Sequence, residues 1–287
     1  MPELPEVEVV KKSLGAKLKN LTIKKVNIIN NKLRYEIDNK QFNKIKNQKI
    51  ISIQRRSKYI LINLNKNFTI LAHLGMTGKF FIIKKNKKYK TTFYYSLKKN
   101  DIKHDHLIIS FNKNIKLIYN DVRKFGFVKI YLSKDVFNCK HLVSLGPEPL
   151  SDSFNLIYFN KYILNKKKKI KDLLMDQKFV AGLGNIYCNE VLFLCKINPT
   201  RSIKNINQKE IKNIIKFIKK ILKQSISLGG SSIKNFSSTE GKDGNFQQNF
   251  NVYNREKASC SRSKCLGTIK KEYTSNRSSF FCLKCQK

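Results

Sequence analysis

Acidic residues are scarce in this chain: 19 Asp and Glu stand against 59 Lys and Arg, for a net charge of +40. Such a surplus suits a polyanion and makes a phosphate-bearing partner the first expectation. Lysine, asparagine and isoleucine are abundant throughout, so the charge favours nucleic acid over a membrane or an acidic protein without marking a site. Long apolar runs are also missing. None approaches the roughly 18 residues of a membrane span, and no early stretch has the form of a signal peptide, so the expectation is a soluble intracellular protein. Cysteine is thin until the end: there are seven, four of them in the last 28 residues. That distribution fits a metal site in a reducing compartment better than a disulfide framework. Cys139, Cys188 and Cys195 are expected to be packing residues. A length of 287 residues allows two domains, or one with a small appendage.

The opening octet, Met1-Pro2-Glu3-Leu4-Pro5-Glu6-Val7-Glu8, sets an unusual nucleophile beside carboxylates. With Met1 removed, Pro2 presents a secondary amine that can attack an electron-poor sugar carbon and form an iminium without losing a further proton. A reference α-amine titrates near ~7.7–8 and a lysine near ~10.4. Lysine would therefore have to drop by roughly 2.5 pH units, about 3.4 kcal/mol, to match its neutral fraction. Glu3 can serve as a proton donor if burial raises its pKa. The plainer reading of the same octet is a helix start, with Pro5 at the first position, Glu6 and Glu8 in a first turn favoured by the macrodipole, and Val7, Val10, Leu14 and Leu18 lining one face.

Residues 21–132 then alternate short β-rich runs with polar turns: 21–29, 50–54, 59–64, 69–73, 79–83, 107–111, 115–119 and 126–132. This pattern predicts an antiparallel sandwich with the first helix laid along it. Gly146-Pro147-Glu148-Pro149 marks a boundary. Beyond it, 170–178 and 185–194 read as helices joined by a glycine turn, and 207–228 as a long Ile/Lys helix. The fold class is α+β: an N-terminal β-sandwich domain (1–145), a helical domain (146–249) and a four-cysteine hairpin (250–287). In that hairpin Cys260, Cys265, Cys282 and Cys285 are spaced x4, x16 and x2. This reads as a four-thiolate structural zinc site, one ion replacing the core so short a segment lacks; a disulfide alternative is open.

The terminal string PELPEVE resembles the start of the formamidopyrimidine-DNA glycosylases, base-excision repair enzymes that remove oxidised purines and then nick the strand. The resemblance implies that Pro2 is the nucleophile and Glu3 the catalytic glutamate. It implies a role in elimination for Lys58 in Arg55-Arg56-Ser57-Lys58-Tyr59, and entry of Met76, in His73-Leu74-Gly75-Met76-Thr77-Gly78, into the space left by a flipped base. Asp121-Val122-Arg123-Lys124-Phe125-Gly126 resembles the family's DPRRFG loop, so Arg123 faces the orphaned base and Phe125 wedges into the stack. Val122 replaces the proline, which is expected to loosen this turn. Phosphate contacts fall on His104, Lys166 and Asn185, the last in a helix-two-turn-helix, while His106 is expected to be structural. Arg277 takes the place of the arginine that clamps phosphates beside the lesion.

The family's finger has x2 in its first cysteine pair, so the x4 here puts the knuckle geometry in question. A loop over 229–248 corresponds to one that folds over the extruded base. The partner implied is damaged duplex DNA, bound by a monomer located in the cytoplasm and associated with the nucleoid. Zinc is the only cofactor. Two rivals are open: an endonuclease VIII-type enzyme for oxidised pyrimidines, and a zinc-finger DNA-binding protein that has lost catalysis.

Overall fold

The computed structural model describes residues 1–84, 87–91, 102–231 and 246–287. The chain forms two compact units, residues 1–143 with 228–245 and residues 144–227 with 246–287.

In the first unit, helix α1 (Leu4–Leu18) buries Val7, Val10, Leu14 and Leu18, the face expected from their spacing. Among the described residues nine strands follow: β1 (Ile23–Ile28), β2 (Ile50–Arg56), β3 (Tyr59–Leu64), β4 (Phe68–His73), β5 (Gly78–Lys84), β6 (Lys87–Lys90), β7 (Asp105–Phe111), β8 (Ile115–Asp121) and β9 (Phe127–Leu132). They form a five-stranded sheet in the order β1-β7-β8-β5-β6 and a four-stranded sheet in the order β2-β3-β4-β9, every pairing antiparallel. Alternate residues of both sheets enter one core: Ile60 and Ile62, Ile70 and Ala72, Phe80 and Ile82, Leu107 and Ile109, Leu117 and Tyr119, Val128 and Ile130. Period-2 burial on facing sheets is what a sandwich requires, and α1 contributes Val10, Leu14 and Leu18 to the same core. A short helix α2 (Asn39–Asn43), capped by the Asp38 carboxylate, was not signalled by any apolar period.

The second unit carries α3 (Leu156–Ile163), α4 (Ile170–Met175), α5 (Asn185–Cys195), α6 (Gln208–Ser227) and a hairpin, β10 (Ile269–Thr274) and β11 (Arg277–Cys282). Helix α5 is apolar nearly all round and buried, as a central helix must be. In α6 the buried residues Ile211, Ile214, Ile218, Ile221, Leu222 and Ser225 recur at helical spacing, with lysines between them. Phe193 of α5 shares a cluster with Val252, Cys260, Ile269, Phe280 and Cys282, so the hairpin is cored on the helical layer. Glu190, fully buried on α5, holds the entry to that segment. Its carboxylate accepts from the amides of Asn251, Val252 and Tyr253 at 2.8–2.9 Å and from Asn251 Nδ2 at 3.0 Å. Among the described residues no helix is long and apolar enough to cross a membrane.

Candidate active site and DNA-contacting elements

Pro2 and Glu3 are both buried at the head of α1. Glu6, three positions after the N-cap Glu3, reaches back with Oε2 to accept the Glu3 amide at 2.9 Å, as in a capping box. Its other oxygen, Oε1, accepts both the amide and the hydroxyl of Ser231 at 2.9 Å. Glu6 thus does more than complement the helix dipole: one buried carboxylate ties the terminus to a residue 225 positions away. The rest of the loop expected over the base, residues 232–245, lies outside the described residues.

Glu8 works outward from the same helix. Burial alone would raise its pKa, but hydrogen bonds from Lys11 (3.0 Å) and Arg55 (2.8 Å) outweigh that and hold it below the usual carboxylate range. Arg55 Nη1 in turn donates to the Ser57 carbonyl at 2.9 Å. Ser57 sits in the left-handed region, at φ +55°, in the two-residue turn between β2 and β3, and Lys58 completes that turn with its side chain largely buried. The chain Glu8–Arg55–Ser57 therefore links α1 to the hairpin that presents Lys58.

The Met76 turn and the 121–126 turn meet backbone to backbone. Gly75 adopts φ +58°, and a Cβ there would lie 2.5 Å from the Gly126 nitrogen, so only glycine permits the approach. The expectation that Val122 loosens this turn is not met. Fully buried Asp121 accepts from the Thr77 hydroxyl and from the Gly126 amide at 2.8 Å, and clamps the turn without the proline. Met76 and Phe125 are both exposed, and the Arg123 guanidinium lies over the Phe125 ring at 4.5 Å. A cavity of ≈570 Å³ is lined by Met1, Arg34, His73, Met76, Arg123 and Phe125, among others, which brings Met1 alongside both turns.

His73 had no role assigned from sequence, yet it lines this cavity. Its ring packs at 4.8 Å from Tyr59 and 5.8 Å from Phe127, its cross-strand partners. Burial, with Lys58, Arg34 and His141 nearby, brings its pKa down to about 4. Nδ1 accepts the Gly75 amide at 3.1 Å, so the neutral ring carries its proton on Nε2. The tyrosine beneath the turns, Tyr119, is pushed well above 10 by burial and by Asp121, and donates to the His73 carbonyl at 3.1 Å.

His104 is not on a strand with His106. It ends the 3-10 turn Ile102–His104 and is half-buried, whereas His106 opens into β7 and places Nε2 2.8 Å from the Asp121 carbonyl oxygen. His104 is not among the residues lining the cavity.

In the second unit Asn185 begins α5. Gly184 brings no side chain to the N-cap, where the helix dipole favours an anion. Gln177 stitches the preceding turn, accepting the Gly182 amide at 2.8 Å and donating to the Leu183 carbonyl at 2.7 Å. Asn185 Nδ2 donates to the Ser278 carbonyl at 3.0 Å, next to Arg277 on the exposed hairpin tip. Buried Lys171 donates to the same carbonyl at 2.8 Å and to Ser279 Oγ at 2.7 Å; burial lowers its pKa to about 8. Asn185 and Arg277 are thus held together. Lys166 has its ammonium 3.1 Å over the centre of the Tyr162 ring.

The four Sγ atoms of Cys260, Cys265, Cys282 and Cys285 lie within 4.8 Å of one another, with Cys260–Cys285 at 3.8 Å and Cys265–Cys282 at 3.7 Å. Zinc–sulfur bonds of ~2.3 Å in a tetrahedron place sulfurs roughly 3.8 Å apart, so the set fits one zinc ion. None of the four is in a disulfide. The x4 pair keeps this geometry because the two added residues are taken up in a turn, with Lys264 at φ +62° and the Cys265 amide donating to the Arg262 carbonyl at 3.1 Å.

A sandwich with a buried Pro2–Glu3 head, a helix-two-turn-helix and a four-cysteine hairpin on one chain define a DNA-repair type of protein. Residues 1–128 match the family described as "Formamidopyrimidine-DNA glycosylase N-terminal domain", and residues 145–237 match "Formamidopyrimidine-DNA glycosylase H2TH domain". The chain is 42% identical over 291 residues to the formamidopyrimidine-DNA glycosylase of Rickettsia bellii, covering 100% of both, and 39% identical over 290 residues to that of Rickettsia felis, covering 100% and 98%. It is similar to Lactococcus lactis Fpg solved with DNA containing an abasic site (TM-score 0.85, 32% identity, 99% of both chains). It is likewise similar to the wild-type Lactococcus lactis protein with DNA containing N7-benzyl-Fapy-dG (TM-score 0.85, 33% identity, 100% of both). The chain belongs to the formamidopyrimidine-DNA glycosylase family.

Proposed function

We propose that this protein is a bifunctional DNA glycosylase and abasic-site lyase that excises oxidised purines from duplex DNA, acting as a monomer in the cytoplasm on nucleoid DNA. The observation that carries the reading is the buried Pro2–Glu3 pair at the head of α1, in a chain that aligns end to end with a relative named formamidopyrimidine-DNA glycosylase. With Met1 removed, the Pro2 nitrogen attacks C1′, the glycosidic bond breaks and the base departs. Glu3 donates a proton as the sugar ring opens, leaving an iminium between Pro2 and C1′. The iminium acidifies C2′. Loss of that proton expels the 3′ phosphate, and a second elimination expels the 5′ phosphate, with Lys58 and Arg277 assisting as proton donors and phosphate partners.

Met76, Arg123 and Phe125 fill the stack vacated by the extruded nucleotide, with Arg123 reading the orphaned base. His104, Lys166 and Asn185 hold phosphates. The four cysteines hold a structural zinc ion, which supplies rigidity and no step of the reaction. The working division is a catalytic sandwich (1–145), a helix-two-turn-helix domain (146–249) and a finger (250–287).

The test is borohydride trapping on duplexes carrying 8-oxoguanine or thymine glycol, with mass analysis of the N-terminal peptide. A covalent adduct on Pro2 with preference for 8-oxoguanine is expected, and Pro2→Gly should lose most base excision. Preference for thymine glycol would point to the pyrimidine-directed enzymes, and DNA binding without an adduct to a lapsed enzyme.

A further inference from the structure

The turns bearing Met76 and Arg123 are joined through one side chain. Thr77 directly follows Met76; its hydroxyl donates to Asp121 Oδ1 and accepts the Arg123 amide, 46 positions away, at 3.0 Å. The same amide reaches Asp121 Oδ1 only at 3.3 Å, while Oδ2 takes the Gly126 amide at 2.8 Å. The hydroxyl thus uses its proton and a lone pair across the gap between the two turns. Asp121 is fully buried and is costly to leave short of donors. The Arg123 guanidinium lies over the Phe125 ring at 4.5 Å, so a shift of the Arg123 amide would disturb both side chains.

We propose that Thr77 is a positioning residue that sets the register of Met76 against Arg123 and Phe125, and through Arg123 sets the opposite-base preference of base excision. This rests on the proposed function. Thr77 touches no DNA in this account; it acts by fixing the backbone from which the guanidinium reaches a base edge. A well-placed bidentate contact separates right from wrong bases by roughly five- to a hundredfold, and that separation depends on alignment more than simple attraction does.

The test compares wild type, Thr77→Ser, Thr77→Val and, should valine fail to fold, Thr77→Ala. Single-turnover excision of 8-oxoguanine is measured opposite each of the four bases. Each rate is divided by the same variant's nicking of single-stranded abasic DNA, which has no opposite base. Thr77→Ser keeps the hydroxyl and should hold the wild-type spread between best and worst opposite base within about twofold. Thr77→Val should compress that spread roughly tenfold. Adding it to Arg123→Ala should compress the spread no further, because both changes remove one function. A valine variant whose normalised rates fall equally for all four bases, a loss additive with Arg123→Ala, or a wild type with no spread overturns the inference. Absence of any excision or trapped adduct in the wild type sinks the functional reading instead, which separates the two failures.

Discussion

Glu6→Gln is the sharpest probe of how the terminus is held. The carboxylate accepts the Glu3 amide on one oxygen and the Ser231 amide and hydroxyl on the other, all at 2.9 Å. Glutamine has the same shape but one acceptor fewer. If its oxygen stays with Ser231, its NH2 faces the Glu3 N–H, donor against donor. The lost charge-assisted bond is worth about 1.5–3 kcal/mol, and the two surviving bonds fall to roughly half strength. Removing a buried charge offsets part of this, so the net destabilisation is about 2–4 kcal/mol. Function should suffer more than stability, since a shift of about 1 Å in a reacting group can cost roughly a hundredfold in rate. Ser231→Ala is the control: it removes only the hydroxyl bond, about 1 kcal/mol, and leaves the Glu3 amide paired. Urea unfolding and borohydride trapping rates are measured on both variants. A Glu6→Gln protein within about 0.5 kcal/mol of wild type, with unchanged trapping, refutes the clamp.

Metal analysis should find about one zinc per chain; a chelator should raise hydrogen exchange across β10 and β11 and weaken DNA binding, and a well-folded, zinc-free hairpin with full affinity refutes the site. His73 is held neutral, with its pKa near 4 against an ordinary 6.5, so the unfolded chain binds a proton that the native ring refuses. Stability from this group is complete above pH 6.5 and is lost as pH falls toward 4, by at most about 3 kcal/mol; His73→Gln should flatten that part of the stability–pH curve, and an unchanged slope refutes it. Ser57→Gly relieves the left-handed strain at φ +55° and should stabilise the protein by about 0.5–1 kcal/mol net; a lower melting temperature contradicts the strained turn.

The apolar periods were legible from sequence. Val7, Val10, Leu14 and Leu18 point inward as their spacing implies, and the eight expected strand runs all appear, because burying a face leaves a repeat in the sequence. Elements without such a repeat stayed hidden. Strand β6, Lys87–Lys90, carries mostly charge, and α3 is eight residues long and fully buries only Phe159, its start capped by the Asn155 side chain accepting the Tyr158 amide at 2.9 Å. Helix α4 ends at Met175 rather than running to 178, because Asp176 turns extended and its carboxylate takes the Lys178 amide at 3.0 Å.

The proposed site residues and the residues that hold them show in the sequence to different degrees, for a physical reason. Pro2, Met76, Arg123 and the four cysteines sit in short strings whose spacing carries meaning. Their supports are single polar residues whose partners lie far along the chain: Glu6 with Ser231, Glu190 with 251–253, Thr77 with Asp121 and Arg123. In sequence a buried carboxylate that collects distant amides looks like any solvated acid, and in a chain with only 19 of them that ambiguity conceals much. Scarcity still has a consequence. Glu6, Asp121 and Glu190 are each engaged by amides or hydroxyls, and Glu8 by Arg55 and Lys11. Amides and hydroxyls are fixed donors, and a planar guanidinium loses less freedom per bond than a flexible ammonium. The buried carboxylates Glu6, Asp121 and Glu190 thus fasten the terminus, the turns and the hairpin entry through fixed donors, in a chain whose net charge is +40.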